Sequence, residues 1–144
     1  MKSNQFSIKL FLAMRREKYF YVYIISNYDR QVIYTGVTNN IVRRIIEHKN
    51  GIGSKFTKKY NLKYLIFFEK WGSAEAAIFR EKEIKAWRRS KKIALIRSMN
   101  PQMFDLSEQL FKDSDLSEAD VLGFSEELKN LRQADSSVAS LPSE

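Results

Sequence analysis

Aromatic and β-branched residues crowd two short runs, 20–26 and 32–37, and predict two strands, with the polar residues 27–31 closing a hairpin between them. The period then changes. From 40 to 49 apolar residues recur at helical spacing, with Asn39 or Asn40 placed to cap the start and Gly51 or Gly53 just past the end. Ile41 and Ile45 mark the buried face of this helix. Arg44 and His48 fall on the same stripe, three and seven positions after Ile41, while Arg43 and Glu47 are expected to point elsewhere. A third strand is expected over 62–71, Gly72 and Ser73 supply a turn and an N-cap, and a long helix follows to about 88. A shorter helix over 90–99 stops at Asn100, before Pro101. The order strand, strand, helix, strand, helix, helix predicts an α+β fold, a small three-stranded antiparallel sheet flanked by helices.

The second helix carries an anomaly. Ala74, Ala77, Ile78 and Ile84 trace its apolar stripe, and Glu81 interrupts it four positions after Ala77. An ionised carboxylate at such a position costs several kcal/mol unless a metal, a cation or a hydrogen-bond network compensates it. A salt bridge to Lys85 or Arg44 would suffice, and so would a bound cation.

Polar residues on buried faces therefore form an ordered set: Tyr23 on the first strand, Tyr34, Thr35 and Gly36 on the second, Arg44 and His48 on the first helix, and Glu81 on the next. With Tyr21 and Val22 before Tyr23, with Arg44 eight positions after Gly36, and with Ile45 following it, this set resembles the GIY-YIG nuclease superfamily. The likeness is strongest to its small standalone members, the UPF0213-like proteins, and covers roughly 19–106. His48 matches a histidine that several members carry at that helix position. Residues 56–60 and 80–85 look like two further signatures of the standalone members. Two positions depart from the pattern: Tyr21 replaces the first glycine, and Thr35 replaces an aliphatic residue, itself β-branched and equally suited to a strand. Asn100 is the only late asparagine of the domain, but its spacing from Glu81 does not match the family's, and it is left outside the site.

The resemblance implies a phosphodiester hydrolase. Glu81 would hold one Mg²⁺ or Mn²⁺ at the phosphate and leaving oxygen, Arg44 would donate to a non-bridging oxygen, and Tyr23 would activate water with Tyr34 beside it. His48 would hold a tyrosine hydroxyl or accept its proton. Taken singly, each residue has a plainer role: strand tyrosines pack cores, a lone helix histidine is commonly structural, and Arg44 could be a surface cation on a buried stem. A nucleic-acid-binding module that keeps the fold without turning over is the alternative to an endonuclease. Joint spacing carries the enzyme reading.

Charge sharpens the picture. The net charge is +8 and the isoelectric point about 9.7. Residues 1–112 carry 23 basic against 9 acidic residues, and 113–144 carry 2 against 8. A basic body suits a polyanionic partner, here expected to be DNA, with branched and single-stranded forms as candidates in repair, recombination or turnover. Lys55, Lys58, Lys59, Lys85, Arg88, Arg89, Lys91 and Lys92 are the expected phosphate contacts. No cysteine occurs, which excludes disulfides, thiolate zinc and a cysteine nucleophile, and a reducing cytoplasm suits such a chain. The apolar run 6–14 is short and broken by Lys9, so no membrane span or signal peptide is expected. No signal for an oligomeric state is present. Three regions follow: an extension over 1–18, with Met1 or Met14 as start, the nuclease-like domain over 19–106, and an acidic tail over 107–144. That tail is expected to be largely disordered, with weak helical patterning around 124–131.

Overall fold

A computed structural model of the chain describes residues 2–13, 15 and 18–130, with side chains from Ile8 onward. Its centre is an antiparallel sheet of three strands in the order β2-β1-β3, built from β1 (Phe20–Ser26), β2 (Ile33–Thr38) and β3 (Tyr64–Trp71). β1 lies in the middle and is covered on both faces, which is why its sequence is a continuous apolar run rather than an alternation. The register sets Tyr23 opposite Gly36 and Ile25 opposite Tyr34. Those four residues therefore share one face of the sheet. On β3 the pairing shifts at Ile66, between the pairs Ile24 with Phe67 and Ile25 with Leu65. Asn100 stabilises this bulge: its side-chain nitrogen donates to the Ile66 carbonyl at 3.0 Å and to the Phe104 carbonyl at 2.8 Å.

Helices cover both faces. On the face of Tyr21, Tyr23 and Ile25 lies α2 (Ile41–Lys49), with Ile41, Ile45 and Ile46 buried. On the other face, Val22, Ile24, Ile66 and Phe67 pack with Ala77 and Ile84 of α4 (Ala74–Lys85) and Ile96 of α5 (Arg89–Met99). Ser73 caps α4 as its sequence suggests, accepting from the Ala76 amide. The apolar stripe of α4 is narrower than expected, because Ile78 is exposed. The helix also ends at Lys85 rather than near 88, and Arg88 starts α5. A further short helix, α3 (Lys55–Lys59), was not legible as periodicity, since five residues make barely more than one turn.

The expectation of a largely disordered tail is corrected for 107–130. α6 (Ser107–Asp113) and α7 (Glu118–Gly123) are followed by helical residues 125–130, and Phe111, Leu116, Val121, Phe124 and Leu128 enter the core under α2. Acidic and serine residues fill the exposed positions of this segment and dominate its composition, hiding a sparse apolar face. Ser117 and Asp120 close a capping box that starts α7. Nor is the N-terminal extension a loose arm over 8–13: in α1 (Lys2–Ala13), Leu10 is buried and Lys9 pairs with Asp120 at 2.9 Å. Met14 and residues 131–144 lie outside the described residues.

These flanking segments grip α2 at both ends. Asn40 caps it by accepting from the Arg43 amide at 3.0 Å, while its own side-chain nitrogen donates to the carbonyls of Ala13 and Arg15 at 2.7 and 2.8 Å. At the other end, Lys49 meets Asp105 at 2.6 Å, and the Asn50 side chain donates to the Val121 carbonyl at 3.0 Å. Asp105 also accepts from the Leu65 amide at 3.0 Å and from Ser107, and Leu106 donates to the Leu65 carbonyl, so the open edge of β3 is covered there. Burial pushes the Asp105 carboxyl up, but hydrogen bonds from Lys49 and Ser107 outweigh it and hold the group below its ordinary value. Asp105→Ala should cost about 1–3 kcal/mol at neutral pH, since it strands several donors. A carboxylate with a depressed folded-state pKa contributes stability above its unfolded pKa and loses it as pH falls through the folded one. Thermal unfolding of the two proteins should therefore converge only below the ordinary carboxylate range.

Candidate active site

Tyr23 is fully buried, and its hydroxyl lies 3.2 Å from Nε2 of His48. The cross-strand partner of Tyr23 makes this contact available. A Cβ at Gly36 would stand 2.5 Å from the Tyr23 hydroxyl oxygen and 2.6 Å from Cζ, so only glycine lets the ring lie across β2 toward α2. A second glycine holds the other side of the imidazole: a Cβ at Gly53 would come within 2.8 Å of His48 Nδ1 and 2.4 Å of Thr57 Oγ1. The sequence presents Gly51 and Gly53 as equivalent helix terminators. They divide the work, for Gly51 adopts the positive φ of 68° while Gly53 makes room for His48. A phenol and an imidazole in hydrogen-bond contact, enclosed away from bulk water, are a pair between which a proton can pass.

Arg44 lies one turn before His48 on α2, with its side chain only 13% exposed against 34% for Arg43. Glu47 corrects the sequence reading. Instead of pointing away it is buried, with Oε1 at 3.4 Å from Arg44 Nη1 and Oε2 at 3.7 Å from Arg43 Nε. The i+3 and i+4 spacings bring one carboxylate between two guanidinium groups, and an apolar stripe count is blind to that kind of burial. Glu47 thereby limits where the Arg44 head can go.

Glu81 sits between Ala77 and Ile84 on the buried side of α4, as its spacing predicts, and the cation it calls for is Lys85, at 2.7 Å from Oε2. The Lys85 ammonium also stands 5.5 Å from the centre of the Tyr34 ring. Two groups thus emerge. Tyr23 and His48 meet under Gly36, with Arg44 on the same helix, and Tyr34 joins Glu81 through Lys85 around the edge strand β2. A divalent cation of the Mg²⁺ or Mn²⁺ kind, which the family resemblance implies, would find one carboxylate here. Among the described residues no cluster of three or more histidine, cysteine or acidic side chains exists. A hard cation held by one carboxylate, with phosphate and water completing its shell, fits that donor set.

The expected phosphate contacts do not gather on one surface. Lys55, Lys58 and Lys59 are exposed on α3, beside Tyr34. Arg88, Arg89, Lys91 and Lys92 belong to α5 and its cap, packed on the opposite face of the sheet. Arg89 donates to the Arg30 carbonyl at 3.1 Å, and Lys91 stands over Trp87. Lys85, the eighth, is engaged with Glu81 and Tyr34.

Residues 19–94 match the family model of the GIY-YIG catalytic domain, and the chain belongs to this family of nucleases. Among its relatives, a UPF0213 protein of Natronomonas pharaonis is 42% identical over 76 residues, which cover 53% of this chain and 88% of that one. A UPF0213 protein of Staphylococcus saprophyticus is 41% identical over 76 residues, 53% of this chain and 92% of its own. The solution NMR structure of the UPF0213 protein BH0048 from Bacillus halodurans aligns with a TM-score of 0.42 at 31% identity, over 62% of this chain and 95% of that one. These relatives' names specify no reaction. No described helix is long and apolar enough to cross a membrane.

Proposed function

We propose that this protein is a metal-dependent endonuclease that hydrolyses phosphodiester bonds in DNA, in repair, recombination or turnover. The observation that carries the reading is the buried hydrogen bond between Tyr23 and His48 under Gly36. Packing alone has no use for a glycine that lets a tyrosine hydroxyl reach an enclosed histidine.

In this reaction water attacks phosphorus, its oxygen forms the new bond, and the bond to the 3′ oxygen breaks. Tyr23 takes the proton from the attacking water as its own hydroxyl proton passes to Nε2 of His48, with Tyr34 lining the approach. Arg44, aimed by Glu47, donates to a non-bridging oxygen as charge builds there. Glu81 is the residue that would hold the Mg²⁺ or Mn²⁺, which when bound neutralises the phosphate and the leaving oxygen. Lys55, Lys58 and Lys59 contact flanking phosphates.

Replacing Arg44 by Ala should slow cleavage by about ten- to a thousand-fold, the range for removal of one transition-state donor. Single-turnover rates at saturating DNA would register this as a change in the chemical step, and an unchanged rate would remove Arg44 from the site.

The test of the whole reading is incubation of supercoiled plasmid and of linear and branched DNAs with Mg²⁺, Mn²⁺ or EDTA. Cutting that requires the metal supports the endonuclease. The Lys85 ammonium against Glu81 favours a second reading, a binding module whose carboxylate is permanently neutralised. Tight DNA binding with no cutting in either metal would select it.

A further inference from the structure

Beside Tyr34 the protein leaves large aromatic surface open where a globular chain would ordinarily cover it. Of the five residues in α3 only Thr57 is buried. Phe56 is 44% exposed and Tyr60 39% exposed. Four positions apart, they fall on one side of the helix, with ring centres 4.8 Å apart and planes inclined by 52°. Phe56 in turn lies 6.2 Å from the half-buried Tyr34 ring at 33°. Three rings thus run in a row outward from the edge strand. They start at the tyrosine that Lys85 links to Glu81.

The surroundings select the occupant. Lys55, Lys58 and Lys59 are exposed on the same short helix, the Lys59 ammonium stands 5.2 Å from the Tyr60 ring centre, and residues 51–68 contain no acid. An apolar side chain of a protein partner would gain nothing from so many cations. A nucleobase would, because its flat face stacks on the rings while the phosphates on either side of it meet the lysines. Only an unpaired base offers that face, since in a duplex both faces are taken by neighbours in the stack.

We propose that Tyr34, Phe56 and Tyr60 form a stacking platform for an unpaired base of single-stranded DNA beside the reaction centre. The natural substrate is then DNA with single-stranded character at or next to the cut, not continuous duplex. This rests on the nucleic-acid reading above, whereas its test does not depend on cleavage.

The test measures anisotropy of a fluorescein-labelled single-stranded DNA oligonucleotide, and of its duplex, with the full chain in EDTA, where no hydrolysis intervenes. The single strand should bind more tightly. Phe56→Leu keeps the apolar bulk and removes the stacking face. It should weaken single-strand binding about ten- to a hundred-fold, the usual loss when a base loses its aromatic partner, and leave the duplex unchanged. Phe56→Trp should restore binding, and thermal unfolding should show both variants folded, as exposure of the site implies. Equal affinities for single strand and duplex, or equal losses on both, would overturn the platform. If single-strand preference and its Phe56 dependence appear but neither single-stranded nor branched DNA nor plasmid is cut in Mg²⁺ or Mn²⁺, the endonuclease reading fails and the platform stands. Cutting with no such preference gives the reverse.

Discussion

Glu81→Ala is expected to abolish metal-dependent cutting while leaving affinity for DNA nearly unchanged. The carboxylate is buried between Ala77 and Ile84, where an ionised group needs compensation, and Lys85 stands against it at 2.7 Å. Lys85 has nearly half its side chain exposed, so it returns to water when its buried partner is removed, and no charge is left uncompensated in the core. Folding is therefore little affected. The loss falls on chemistry: a cation at the leaving oxygen supplies several kcal/mol, and each 1.4 kcal/mol is about a factor of ten in rate. A decrease of about a thousand-fold or more follows. Glu81→Gln, which keeps the shape and removes the charge, should be as inactive, separating charge from packing. Single-turnover cleavage in Mg²⁺ and Mn²⁺, together with binding in EDTA, reads both quantities. Cutting that survives in Glu81→Ala would remove the metal from the mechanism.

The second large effect is expected at a residue with no functional group. Gly36→Ala places a methyl 2.5 Å from the Tyr23 hydroxyl, inside van der Waals contact, and Tyr23 is fully buried. Overpacking of this kind costs about 1–3 kcal/mol of stability. The ring must move, and the 3.2 Å hydrogen bond to His48 goes with it. A displacement of about 1 Å at a reacting group costs on the order of a hundred-fold in rate. Since Gly36 acts through the Tyr23 hydroxyl, its effect on rate should largely disappear in a Tyr23→Phe background, whereas the cost in melting temperature should remain. Such non-additivity is the mark of residues working as one unit. Additive rate losses would show that Gly36 matters for some other reason.

Most of the sheet was legible in the sequence because β1 and β2 are dense in aromatic and β-branched residues, which favour strands, and polar hairpin residues separate them. The buried polar set was legible for a related reason. Arg44, His48 and Glu81 interrupt stripes whose period is otherwise regular, and an interruption in a regular pattern carries information. Glu47 escaped because its burial depends on two guanidinium groups on its own helix, not on apolar neighbours. The role of Gly53 beside His48 is concealed in the sequence, since a glycine just past a helix end already has a ready explanation. α3 is too short to show a period. The C-terminal helices were hidden by their composition: Phe111, Leu116, Val121, Phe124 and Leu128 are spread over three short helical segments and the turns between them, and no single window of sequence holds enough of them to outweigh the acids and serines.

The grip on α2 bears on how the protein could be shortened. Asn40 holds carbonyls at 13 and 15, Lys49 holds Asp105, and Asn50 holds the carbonyl of Val121. All four partners lie outside residues 19–94, the stretch that matches the family's domain. A fragment trimmed to that stretch would keep every candidate reacting side chain and lose the anchors at both ends of the helix bearing Arg44 and His48. In this chain the boundary of sequence kinship is therefore narrower than the boundary of mechanical integrity, and segments beyond the matched stretch serve as the mounting of the helix that carries Arg44 and His48.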